Sequence, residues 1–314
     1  MQPIVESNQL VLQAYRLRLL LALMLANIRL VINWVRDRHV IRRRRELAKI
    51  YKGTPESRAI ADGLEEVGFY FTNLRRLGIN EAVLDYCREL TGSARSLSIE
   101  DVWAQNYESI YHRNEREGYW IDLHVPMRQE RTPLLEFATN EIVVGAACTY
   151  LKEVPFLTGL GLFYTPAHAD KVLYDNQFWH LDGRRPSQVK IFMLPDGGDE
   201  ESGPLYLIPK AYSNRRRYTA CLGRYTDEQI VENGVDISKR IPFVGPPGSI
   251  VFADTSRLFH CGGRTRNKPR SQVIINWSPV ESYLPYKFKQ KQASPGSKFP
   301  DVNRDILRYF SGLI

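Results

Sequence analysis

Apolar residues near the start of the chain recur at three- and four-residue steps: Leu17, Leu20, Leu21, Met24, Ile28, Val31, Ile32 and Val35. That spacing predicts a long amphipathic helix over residues 10–40, with Arg18, Ala22, Arg29, Asn33 and Arg36 on the opposite face. Gly53-Thr54-Pro55 marks a junction, offering a threonine cap and a proline at the first helical position. Residues 56–67 read as helix and Val67 to Phe71 as a short strand. Ile79, Val83, Leu84, Cys87 and Leu90 predict a second amphipathic helix over 79–90. Between 95 and 150 helical periodicity comes in patches, and the densest, Leu134 to Tyr150, predicts a buried support helix.

From about Leu162 the pattern changes to short β-rich runs at 161–164, 172–179, 188–194, 204–208, 240–244, 249–253 and 271–277. Turn clusters such as Pro195-Asp196-Gly197-Gly198-Asp199 and Gly245-Pro246-Pro247-Gly248 separate them. This predicts an α+β chain with a mainly β core, a sandwich or closed barrel such as a jelly roll. Residues 281–314 return to polar sequence with one late helix, Asp301 to Phe310. The chain thus divides into a basic arm over 1–52, the β-rich domain over 53–280, and a tail over 281–314.

Charge sharpens the division. Residues 1–50 hold ten Lys/Arg against three acids, a net of +7, which leaves +1 of the chain's total +8 for the other 264 positions. A body so nearly neutral argues against a nucleic-acid binder, which would show a basic patch on its fold. Between Arg18 and Arg29 stand ten uncharged residues, short of the roughly 20 that a spanning helix needs. The basic block comes after the apolar one and no small-residue cleavage site appears, so a secretory signal is not expected. Four cysteines without short spacing suggest a reducing, cytoplasmic setting, and Cys261 reads as a small buried neighbour of His260 rather than a ligand.

The candidate chemistry lies in Gln177-Phe178-Trp179-His180-Leu181-Asp182-Gly183 and, some eighty residues later, Leu258-Phe259-His260. Residues i and i+2 of a strand share a face, so His180 and Asp182 can reach one ion. Two imidazoles and a carboxylate bind one face of Fe(II) and leave positions open for a chelating cosubstrate and O₂. His260 comes after the run 248–254 and a short connection that would return it beside the first strand. Ten residues on, Arg270 opens an apolar run, and a guanidinium fork suits a distal carboxylate. Arg264 and Arg266 are rivals for that role. Lys190 reads either as an exposed edge residue or as a second carboxylate contact, and Tyr164 and Gln177 as contacts to cosubstrate or substrate. Trp179, on the opposite pleat from His180, reads as core, as do His112, His124 and His168.

With these residues in order, residues 60–280 resemble the phytanoyl-CoA dioxygenase family of Fe(II)/2-oxoglutarate-dependent oxygenases. The resemblance is carried by His180, Asp182, His260 and Arg270, by Gly68-Phe69-Tyr70, and by the segment Glu201 to Ser213 with its glycine, proline and serine. Asn214 departs from it, standing where a histidine commonly follows the serine. The resemblance implies a double-stranded β-helix (cupin-like) barrel with supporting helices. It implies iron on His180, Asp182 and His260, 2-oxoglutarate on Arg270, and O₂ as oxidant. An aspartate at 182, where related halogenases carry Gly or Ala, implies hydroxylation or a related oxidation and no chlorination. The competing expectation is a catalytically silent sugar- or partner-binding barrel; a zinc hydrolase fits less well, for lack of a general-base carboxylate. For residues 10–45 two expectations stand: docking on the inner face of an anionic membrane, which favours a lipid-linked (glycolipid) substrate over a free small molecule, or pairing in a homodimer or against the barrel.

Overall fold

The computed structural model describes residues 24, 28, 32, 38–102, 120–123, 131–168, 173, 175–182, 187–213, 223–264, 267–279 and 300–312. Two antiparallel sheets face each other. The larger is built from β1 Phe69–Asn73, β2 Ile121–Leu123, β3 Phe156–Thr165, β4 Val189–Leu194, β7 Ser249–Ala253 and β9 Arg270–Ser278, in the order β1-β7-β4-β9-β3-β2. The smaller is built from β5 Leu205–Leu207, β6 Ile241–Phe243 and β8 His260–Cys261, in the order β6-β5-β8.

Alternation along the strands decides what each face meets. Ile191, Met193, Ile250, Phe252, Val273, Ile275 and Trp277 point out of the large sheet into a core roofed by helices. Those helices include α2 Pro55–Glu66, α3 Ala82–Thr91, α4 Pro133–Ala138 and α5 Glu141–Leu151. Phe192, Leu194, Val251 and Ala253 point inward and meet Leu205, Leu207 and Phe243 of the small sheet. A third cluster, with Trp179, Ile208, Ile230, Phe259 and Cys261, covers the outside of the small sheet; helix α6 Asp227–Glu232 supplies Ile230. The sequence thus builds an inner face from every second residue of each run.

Several boundaries differ from the sequence reading, each for a local reason. Thr54 does cap α2, its hydroxyl accepting from Ser57 N with Pro55 in the first turn. The expected single helix from 134 to 150 is two, because the Asn140 side chain accepts from Ile142 N and starts α5 afresh. Within the expected strand 172–179, residues 175–177 form a 3-10 turn instead and Trp179 makes a single bridge to Tyr225. Late helix α7, Pro300–Ser311, forms as expected. Its Asn303 side chain pairs with both Leu157 N and Leu157 O, at 2.9 and 3.3 Å, beside a bulge in β3.

The described part of the arm, residues 38–50, is helical (here α1). Of the basic run Arg42 to Arg45, Arg44 is buried. Its guanidinium donates to Val154 O and, at 2.7 Å, to Pro155 O, and lies 3.9 Å over the Phe156 ring. Arg45 reaches the buried Glu153 at 3.5 Å. Met24, Ile28 and Ile32 are helical and stay 60%, 50% and 57% exposed. Among the described residues no helix is long and apolar enough to cross a membrane. The rest of the predicted helix over 10–40 lies outside the described residues, as do His112, His124, Asn214, Arg266 and most of the tail before residue 300.

Candidate metal centre

His180 and His260 are held side by side by the backbone. His180 N donates to His260 O at 3.0 Å and His260 N to His180 O at 3.1 Å, an antiparallel bridge. His260 is also paired with Leu207 of β5, so both imidazoles share Leu207's inner side, while Trp179, Phe259 and Cys261 point outward. The rings lie 4.1 Å apart, centroid to centroid. Each Nδ1 faces a carbonyl two residues back, Phe178 O at 2.8 Å and Leu258 O at 3.4 Å. An Nδ1–H donating there fixes the tautomer that leaves Nε2 as a lone-pair ligand.

Asp182 completes the set. Its N donates to Thr255 O at 2.8 Å, which tucks the carboxylate under the imidazoles. His180 Nε2 lies 3.6 Å from Oδ1 and His260 Nε2 3.3 Å from Oδ2. One ligand atom from each of the three lies within 4.8 Å of the others, and among the described residues no other group of three His, Cys, Asp or Glu does so. Burial alone would push the Asp182 carboxyl up; the Lys190 ammonium and His260 outweigh it and hold it well below the ordinary carboxylate range. Burial, then the charge of His180, lowers His260 to about 4. Two imidazoles and a carboxylate are the donor set a first-row divalent ion such as Fe(II) takes, so the residues fit the metal the resemblance implies.

The turn after β7 supports this arrangement. Asp254 is buried and its Oδ1 accepts from Ser256 N and Oγ, while Oδ2 takes the Tyr150 hydroxyl of α5 at 2.6 Å. Gln188 Nε2 holds Thr255 Oγ1 at 3.0 Å, steadying the residue whose carbonyl carries Asp182. Gly68 passes under the same turn with φ +98°, where a Cβ would come 2.8 Å from Leu258, and its carbonyl accepts Asp254 N. Ser213 does the equivalent for His260: its hydroxyl donates to Ile208 O and accepts from Phe259 N, both at 3.0 Å.

Of the other singled-out residues, Arg270 lies directly opposite Thr165 and shares the inner face with Ile274. Its Nη1 donates to Gly203 O at 2.6 Å and lies 3.9 Å from where a Cβ on Gly262 would stand, two residues past His260. Gly203 is left-handed at φ +65°, which turns that carbonyl toward the guanidinium. The rival Arg264 is committed elsewhere, to Gln177 O and Asp227. Gln177 is buried and donates to Gly263 O at 2.6 Å, tying the two ligand segments together. Tyr164 falls on the helix-covered face of β3, opposite to Arg270's, and its hydroxyl donates to Arg95 O. Lys190 stands mid-sheet between β7 and β9, not at an edge, and bonds Asp182 Oδ2 at 2.5 Å. Gln272, one inner position beyond Arg270, was not singled out from sequence; its Nε2 is buried and, among the described residues, meets no hydrogen-bond partner. Cys261 is buried, which pushes its thiol up to about 12, an inert neighbour as expected.

No family model matches the chain and no curated protein matches it. Solved structures do. EctD from S. alaskensis, with 2-oxoglutarate and 5-hydroxyectoine, aligns at TM-score 0.48 and 17% identity over 70% of this chain and 75% of that one. The non-heme alpha ketoglutarate dependent carbocyclase SnoK from nogalamycin biosynthesis aligns at 0.49 and 12% over 80% and 99%. The epimerase SnoN from the same biosynthesis aligns at 0.48 and 13% over 71% and 83%. The likeness is one of chain course at low identity; the chemistry is carried by the side chains.

Proposed function

We propose that the protein is an Fe(II)- and 2-oxoglutarate-dependent oxygenase that hydroxylates a C–H bond, with its two facing sheets acting as a double-stranded β-helix barrel. The observation that carries this is the convergence of His180 Nε2, His260 Nε2 and the Asp182 carboxylate within 4.8 Å on the inner face. Bound there, Fe(II) with 2-oxoglutarate and O₂ supplies oxidative decarboxylation to succinate and CO₂ and oxidation of the substrate. The chain's part is to orient and to exclude water: the imidazoles are fixed by their Nδ1 contacts, and Arg270 offers a buried guanidinium for the distal carboxylate. The test is anaerobic addition of Fe(II) and 2-oxoglutarate, expected to give a weak visible charge-transfer band, then succinate release in air. His180→Ala, Asp182→Ala and His260→Ala should each abolish both. Arg270→Ala should weaken 2-oxoglutarate binding about 30- to 150-fold, the loss of a charge-assisted contact of about 2–3 kcal/mol. Full turnover in His260→Ala sinks the assignment.

We also propose that the arm presents this domain to an anionic membrane, which favours a lipid-linked substrate. Met24, Ile28 and Ile32 are exposed, and so are Arg42, Arg43, Glu46 and Ile50. The body is gripped from the other side of α1 by Ile41 and Arg44. Exposed Met24, Ile28 and Ile32 together with exposed Arg42 and Arg43 suit an interfacial helix beneath a docked domain.

A further inference from the structure

Lys190 sits in the middle of the large sheet, paired through Ala253 on one side and Asn276 on the other. Its companions along the inner face of β4 are Phe192 and Leu194. A cation at such a place costs desolvation unless its charge is met. The partner is the Asp182 carboxylate, reached from the facing side of the interior, 2.5 Å from Nζ to Oδ2. The ammonium therefore takes up one oxygen, while Oδ1 is left toward His180 Nε2.

We propose that Lys190 is a resident counter-ion of the metal centre. It holds Asp182 in ligating position when no ion is bound, keeps one carboxylate oxygen when a divalent ion takes the other, and lowers the affinity for that ion by its own charge. This rests on the metal-centre reading of His180, Asp182 and His260. Without the ammonium, the half-buried Asp182 carboxylate of the metal-free protein would face His180 and His260 with its charge unmet, which is destabilising. With it, any divalent ion must bind against a neighbouring positive charge, and a dianionic cosubstrate is drawn by the sum of the two.

Manganese(II) is the probe, since its binding can be tracked by electron paramagnetic resonance and calorimetry with no turnover. Metal-free Lys190→Met should melt below the native protein, while its Mn(II) affinity rises about tenfold or more, the order expected for removing a unit charge beside a divalent ion. Mn(II) should then raise its melting temperature by more than it raises the native one. Lys190→Gln repeats the measurement if the methionine variant does not fold, and Lys190→Arg, which keeps the charge, should stay close to native. Unchanged or weaker Mn(II) binding in the neutral variants overturns the counter-ion role, as does a gain in Lys190→Arg matching that in Lys190→Met. Native protein that binds Mn(II) no better than Asp182→Asn overturns the metal-centre reading instead.

Discussion

The proton balance of His260 differs sharply between folded and unfolded chain. Buried beside His180, it holds its proton only below about pH 4 in the fold, whereas an unfolded histidine takes one near pH 6.5. Stability from this residue is thus fully present above about pH 6.5 and is lost as pH falls toward 4, by about 3 kcal/mol in all. Asp182, held well below the usual carboxylate range, adds stability above its unfolded value of 3.8 and loses it below. Both run the same way. The metal-free protein should therefore lose melting temperature steadily from pH 6.5 to 4, and His260→Gln should flatten that slope; equal slopes would refute the attribution. At this scale the sequence showed the three residues that converge, since His180-x-Asp182 and His260 are read by type and order. It did not show Lys190's partner, because Asp182 lies across the interior and no spacing along the chain reports it. Tyr164 misled for a similar reason: which side of β3 it occupies depends on its register against Ser271.

Helix α5 reaches the centre through one hydroxyl. Tyr150, near its end, bonds Asp254, whose turn presents Thr255 O to Asp182 N. Tyr150→Phe removes a hydrogen bond to a buried carboxylate without changing shape, and should cost about 1.5–3 kcal/mol. It should also weaken Mn(II) binding several-fold, because the turn that fixes Asp182 loosens. Destabilisation with unchanged Mn(II) affinity would show that the turn holds without α5. Strands were the easier elements to foresee, since runs such as 188–194 and 249–253 carry period-two apolar residues on both faces. Breaks were harder. The division of 134–150 turns on Asn140 acting as a cap, and the bridge that Trp179 makes turns on Tyr225 nearly fifty positions away.

For the whole molecule, the arm is the part whose placement composition could suggest but not decide. A basic run looks alike whether it is solvated or gripped, and the burial of Arg44 against Val154, Pro155 and Phe156 depends on a surface made elsewhere. The expected outcome is that full-length protein co-sediments with anionic vesicles at low salt, less so at high salt, and that a chain beginning at Gly53 stays in the supernatant. Equal, salt-insensitive recovery of both in the supernatant, with a dimer lost on truncation, would assign the arm to self-association. The backbone bridge between His180 and His260 has a different reach. It pins both ends of an eighty-residue excursion at the ligands themselves. Doubling the length of a flexible loop adds only about 0.6 kcal/mol to the cost of closing it. Residues inserted within that excursion, away from the bracing Ser213, Tyr225, Asp227 and Ile230, can therefore be accommodated at little cost to the ligand geometry. A lineage of such proteins could change what it grips many times over while the centre itself stays unaltered.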